Sequence, residues 1–211
     1  MNGSRSMALA LLLAGCARGL PAGKAARVER AREQRVGSPV TVEGTVSVAS
    51  GVIDAGFALT DGDAGIYVAA DSTTRVAEGE RVRVTGTRAD VHGLATIRPE
   101  RVERLGTGEL PPPLTVRTDG VGEATEGSIV TVSGRAVAPV TSDLPYGHKL
   151  WIDDGAGRVQ IFFPTAAGDF GLERVRVGSM VTAIGFSGQY DRTYEVIPAT
   201  RSDLIVANAA P

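Results

Sequence analysis

Four short sequence blocks occur twice in this chain of 211 residues, in the same order. Internal self-similarity is read before anything else, because each copy must form the same structural unit. Residues 40–46 match residues 130–136, with Gly44 facing Gly134. Residues 59–66 match 152–159 with a one-residue slip, so Asp61-Gly62 falls against Asp154-Gly155. Residues 79–86 match 178–185, and Ile97 and Pro99 match Val196 and Pro198. The spacing between blocks differs only in loop-like stretches, so the chain carries a duplication.

Each copy has the period of strands. Val40, Val42 and Val46, then Val82 and Val84, are β-branched and lie two or four residues apart, which suits a half-buried strand. Asp61-Gly62 and Asp154-Gly155 are hairpin signals, since glycine takes the positive φ such turns need. Gly44 and Gly134 interrupt strand patterns and predict bends, as small barrels require. Long apolar stripes at helical period are lacking. The expectation is an all-β fold of two tandem five-stranded barrels.

The order of parts resembles the OB-fold: a bent glycine-containing strand with Gly44, a strand-Asp61-Gly62-strand hairpin, the strand of residues 79–86, and a final pair that includes Ile97. It is similar to OB modules that accompany bacterial extracellular nucleases and to helicase-type nucleic-acid-binding OB domains. The resemblance covers residues 36–207 and rests on structural glycines and turns, so it implies a fold more than a function.

Outside the repeats, residues 7–14 form a short apolar run after Arg5, and Leu13-Ala14-Gly15-Cys16 closes it. A basic start, a short apolar stretch and small residues make a secretory signal. The run is well short of the roughly 20 residues that span a bilayer. Its end resembles the lipobox of bacterial lipoproteins. That resemblance implies cleavage before Cys16 and acylation of its sulfur, palmitate-type, and of the new amino terminus. The implied location is the bacterial cell envelope, lipid-anchored, at the outer membrane or facing the periplasm, because Ala17 after the cysteine resembles outer-membrane sorting. Cys16 is the only cysteine, which leaves none for a disulfide or a thiol nucleophile.

These readings divide the chain into a signal peptide (1–15), the lipidated cysteine and a basic tether (16–35), a first barrel (36–106), a Pro-rich linker (107–117), a second barrel (118–207) and a tail (208–211). The tether carries six basic residues against two acidic ones, so +4, while 36–106 sum to −3 and 118–207 to −4. Acidic modules argue against a strong nonspecific grip on nucleic acid, which comes from neutralising phosphates. Pro111-Pro112-Pro113 reads as a stiff spacer between separately folding barrels.

Neither histidine, His92 or His148, opens a recognisable catalytic motif, and Asp153-Asp154 is better explained by turn chemistry than by a metal. The chain is expected to be no enzyme and to need no cofactor or metal. Binding is the better expectation. If Leu150, Ile152, Val159, Ile161 and Phe163 fill the second barrel, the opposite parity puts Lys149, Trp151, Gln160 and Phe162 on its outer face. Arg158 and Tyr194 extend that candidate ligand-binding set. The first copy has Ala58 and Tyr67 where the second has Trp151 and Gln160, and its face reads as barer. Two exposed aromatics beside a lysine and an amide suit single-stranded nucleic acid or an oligonucleotide. The alternative is an envelope adaptor that holds a partner protein or a glycan, with the aromatic patch as its hot spot.

Overall fold

The computed structural model describes residues 25–207. The signal peptide, Cys16, the first part of the tether and the tail lie outside the described residues.

Two five-stranded barrels account for the described chain, and both are OB-like. In barrel one, β1 (Pro39–Val48), β2 (Phe57–Thr60), β3 (Gly65–Val68), β4 (Glu80–Val91) and β5 (Leu94–Thr107) close in the order β1-β2-β3-β5-β4. All neighbours are antiparallel except β3 and β5, whose parallel pairing (Val68 beside Ile97) closes the ring. A third short strand, β6 (Leu114–Val116), begins the second unit. There β7 (Ile129–Ala136), β9 (Gly147–Asp153), β10 (Arg158–Pro164), β11 (Met180–Tyr190) and β12 (Thr193–Ile197) pair in the equivalent circuit, with β10 parallel to β12. β8 (Thr141–Asp143) adds to the edge of β9, and β13 (Leu204–Ala207) adds to β11. Barrel two thus divides between β12 and β13 what barrel one runs as the single strand β5.

The expected alternation fills both cores. Val42, Val46, Leu59, Ile66, Val82, Val84 and Ile97 pack inside barrel one. Leu150, Ile152, Val159, Ile161, Phe163 and Val196 pack inside barrel two. Gly44 sits so close to the Thr60 carbonyl that a Cβ would overlap it, which is the bend a tight barrel needs.

The tether and linker differ from the expectation. Residues 25–35 are not a solvated tether: helix α1 (Val28–Arg32) buries Val28 and Ala31 in the core of barrel one. Nor are 107–117 only a spacer, because β6 pairs in parallel with Val130 to Val132 of β7. The two segments are equivalent parts of the repeat. Ala26 bridges in parallel to Val42, as Val116 pairs with Val132. One residue on, Arg27 faces Asp61 at 3.6 Å and Arg117 faces Asp154 at 3.4 Å. The turn carboxylates therefore do more than turn. Asp61 accepts a hydrogen bond from the Val28 amide (2.9 Å), and Asp154 accepts one from the Thr118 hydroxyl (2.6 Å). The Thr118 bond and the Ala156 amide hold the Asp154 carboxyl down to about 2.

The barrels also meet, contrary to the expectation of separate units. Ala58 and Tyr67 from the outer face of barrel one form a buried cluster with Phe186 and Ile197 of barrel two. The Tyr67 and Phe186 rings lie 6.1 Å apart and tilted, a favoured aromatic arrangement. At one end the equivalent turns touch: the Asp191 amide donates to the His92 carbonyl (2.6 Å), and His92 Nδ1 lies 3.0 Å from Asp191 Oδ1. At the other end the backbones of Gly65 and Gly127 are so close that a Cβ on either would overlap the other's carbonyl oxygen. Gly127 also has φ +88°, a second reason for glycine there.

Candidate functional site

The outer face of barrel two is built by β9, β10 and β12, and cross-strand register decides which side chains share it. Trp151 pairs with Gln160, Lys149 with Phe162, and Gln160 in turn with Glu195 of β12. Gln160 and Glu195 are buried, and Phe162 is half-buried. Phe162 packs into the cluster between the barrels with Val52, Ile53 and Leu94 of barrel one. Gln160 is 6% exposed and donates from its amide to Glu195 (2.5 Å), itself 7% exposed. Exposure of Gln160 is therefore corrected: it faces away from its own core but lies buried beside a carboxylate. Burial pushes that carboxyl up to about 7, against the amide and the charge of Lys149, while Asp143 adds to the rise.

The bare face expected for barrel one is also corrected. Ala58 is fully buried and Tyr67 is 4% exposed. Tyr67 donates from its hydroxyl to Asp54, and burial first, then that carboxylate, raises its pKa far above the ordinary tyrosine value. The face that OB-folds commonly offer to a ligand is, in barrel one, an internal joint.

Tyr194 does not join the patch either. It lies on the Val196 side of β12, packs at the edge of the barrel-two core and donates from its hydroxyl to Glu123 (3.1 Å).

What stays open is the edge around Trp151. The Arg158 guanidinium sits 4.7 Å from the centre of the Trp151 ring, a cation–π contact. Val137, 47% exposed, faces Trp151 across the β7–β9 edge, where its amide donates to the Trp151 carbonyl (2.9 Å). Leu144 and Tyr146, 63% and 73% exposed, form the tip of the β8–β9 hairpin on the same edge. Lys149 is engaged with Asp143 at 2.7 Å, and Arg117 with Asp154. Arg158 has no carboxylate partner among the described residues. Sequence reasoning did not place Val137, Leu144 or Tyr146 in the candidate site; apolar or aromatic residues beside the loop prolines Pro139 and Pro145 were their only signal.

His92 stacks on Tyr190 (4.5 Å between ring centres) at the joint between the barrels, so it serves packing between turns. Among the described residues no group of three or more His, Cys, Asp or Glu is arranged to hold a metal ion.

No protein-family model matches the chain, and no curated protein matches it. Solved structures resemble it at low identity. The hypothetical protein ygiW from E. coli is 19% identical and covers 40% of this chain and 94% of its own, with a TM-score of 0.35. A murine DNA-binding protein bound with double-stranded DNA is 12% identical over 81% of this chain and 97% of its own (TM-score 0.40). OBody AM1L10 bound to hen egg-white lysozyme is 16% identical over 48% of this chain and all of its own (TM-score 0.38). Likeness at this level assigns neither a family nor an activity.

Proposed function

We propose that this chain is an exported, lipid-anchored, non-catalytic binding protein that docks a partner protein of the cell envelope on the Trp151 edge of barrel two. One observation carries the reading. The group left open on the outer face is half-buried Trp151 with exposed Arg158 above it and exposed Val137 beside it, while the neighbouring cations Lys149 and Arg117 are already paired with carboxylates. Tryptophan, tyrosine and arginine are the residue types that dominate protein–protein hot spots. A nucleic-acid track needs a row of cations free to meet phosphates, whereas Phe162 packs against the joint with barrel one and Gln160 is buried beside Glu195, where such a track would run.

An oligonucleotide is the second reading, favoured by the Trp151–Arg158 pair itself, because a base stacks on either group. Salt separates the two. Trp151 fluorescence titrated with an oligothymidine should show no saturable change at physiological ionic strength. A photoreactive residue in place of Val137 should capture an envelope protein in cells, and Trp151→Ala should weaken that capture by about 30-fold, the loss of a hot spot of roughly 2 kcal/mol. Saturable oligonucleotide binding with a steep logarithmic salt slope would instead establish the second reading.

The anchor rests on Leu13-Ala14-Gly15-Cys16 and has its own test. Cys16→Ser should abolish acylation and shift the protein out of the detergent phase. An unchanged mass and unchanged partitioning would remove the lipoprotein reading without touching the Trp151 edge.

A further inference from the structure

The duplication provides its own comparison for the outward face of β7, β11 and β13. In barrel one the register across the equivalent strands runs Glu43, Arg83, Glu103, with Arg81 two residues before Arg83. These side chains form a ladder of ion pairs. Glu43 meets Arg81 at 3.0 Å and Arg83 at 2.5 Å, and Arg83 meets Glu103 at 3.8 Å. In barrel two the same register runs Ser133, Thr182, Ile205, with Met180 in the place of Arg81. Two hydroxyls, bonded to each other at 2.7 Å, and two apolar side chains therefore stand where barrel one has four charges. Met180 is 40% exposed and Ile205 57%. Val177, in the turn that leads into β11, is 60% exposed and stands where barrel one has Glu78. The scaffold does not require apolar residues here, because barrel one closes the same sheet with charges.

Unpaired arginines rim this apolar face. Arg135 lies opposite Met180 and donates to the Gly178 carbonyl (3.1 Å), and Arg176 donates to the carbonyls of Glu173 and Val175. Both are exposed, and neither has a carboxylate within ion-pair distance among the described residues. Asp153, opposite Arg135 on β9, accepts from the Gly155 amide instead (2.6 Å). Glu173 and Arg174, earlier in the same turn, cancel in charge.

We propose that this face of barrel two rests on an anionic bilayer surface, with Val177, Met180 and Ile205 entering the headgroup region and Arg135 and Arg176 meeting lipid phosphates. Exposed apolar side chains beside basic ones bind the membrane interface by burying apolar area and attracting anionic lipid. Charge selects the occupant. Residues 118–207 sum to −4, yet the exposed apolar face is edged by cations. A second copy docked about a two-fold axis would bring the same cations around the same patch, where they repel. The proposal rests neither on the Trp151 edge nor on Cys16.

The full-length chain with Cys16→Ser and Val177→Cys has one thiol, since Cys16 is the only natural cysteine, and can carry an environment-sensitive dye at the face itself. Its emission should shift to the blue on vesicles of equal phosphatidylcholine and phosphatidylglycerol, and stay unchanged on phosphatidylcholine alone. Giving barrel two the residues of barrel one (Ser133→Glu, Met180→Arg, Thr182→Arg, Ile205→Glu) should raise the half-saturating lipid concentration at least about tenfold. Should that variant unfold, Arg135→Gln and Arg176→Gln, both surface changes, should each raise it about fivefold. Absence of a shift on the anionic vesicles, or an equal shift on the neutral ones, would overturn the proposal. So would a shift without lipid that grows with protein concentration, which would show that a second copy covers the face.

Discussion

Phe186→Ala is expected to destabilise the whole tandem by about 3–5 kcal/mol, the usual cost of deleting a fully buried phenylalanine. Phe186 belongs to β11 of barrel two, yet its ring lies in the cluster with Ala58 and Tyr67 of barrel one. The loss should therefore appear in both barrels. Trp151 fluorescence reports on barrel two, and hydrogen exchange at β2 and β3 reports on barrel one. Both should shift together, in one cooperative transition, because the cluster between the barrels is as apolar as their own cores. Independent units would give a different result: the fluorescence transition would move while exchange in β2 and β3 stayed as it was. That outcome would restore the picture of two barrels on a proline spacer.

The reason that picture is natural from the sequence, and differs from the structure, lies in what alternation can say. Parity fixes which side of a strand faces its own barrel, so Val82, Val84, Leu150, Ile152 and Phe163 are legible as core. Parity is silent about what lies against the other side. Ala58 and Tyr67 therefore read as a bare surface, although Phe186 and Ile197 of barrel two and, for Tyr67, Asp54 of its own loop bury them. The same blindness applies to Gln160 and Phe162, legible as outward-facing but not as covered. Local composition misled elsewhere. Arg27 and Arg117 occupy equivalent places, each beside its turn aspartate. One sits in a basic stretch that reads as a tether and the other follows three prolines that read as a linker. Two short, dissimilar strings, Ala26-Arg27-Val28-Glu29 and Val116-Arg117-Thr118-Asp119, are too little similarity to reveal that the duplicated unit begins fourteen residues before its first obvious block (40 − 26 and 130 − 116). The exposed Tyr146 and Leu144 gave no periodic signal, because a hairpin tip has none.

The tandem should also lose stability as pH rises from about 4.5 to about 7, by up to about 3 kcal/mol, through Glu195. Its carboxyl has an ordinary value of 4.5, and burial pushes it up to about 7 in the folded protein. Within that window the folded chain holds a proton that the unfolded chain has released, so raising the pH favours unfolding. Below about 4.5 both states are protonated and no penalty exists; above about 7 the folded state must carry a buried carboxylate and the penalty is complete. The groups around Glu195 explain why the shift is not larger: the Gln160 amide donates to the carboxylate and Lys149 attracts it, while Asp143 repels it. Glu126, also raised by burial, pulls in the same direction. Glu195→Gln removes the titration while keeping the shape and a hydrogen-bonding partner for Gln160. Urea unfolding at pH 4.5 and pH 8 should therefore show wild type much weaker at pH 8, whereas Glu195→Gln should lose most of that difference and be the more stable of the two at pH 8. A slope left in the variant has the sign that the raised Glu126 carboxyl gives. If wild type and Glu195→Gln instead share one pH profile, the Glu195 carboxylate is already accommodated at neutral pH, and its surroundings on barrel two are wetter than its burial indicates.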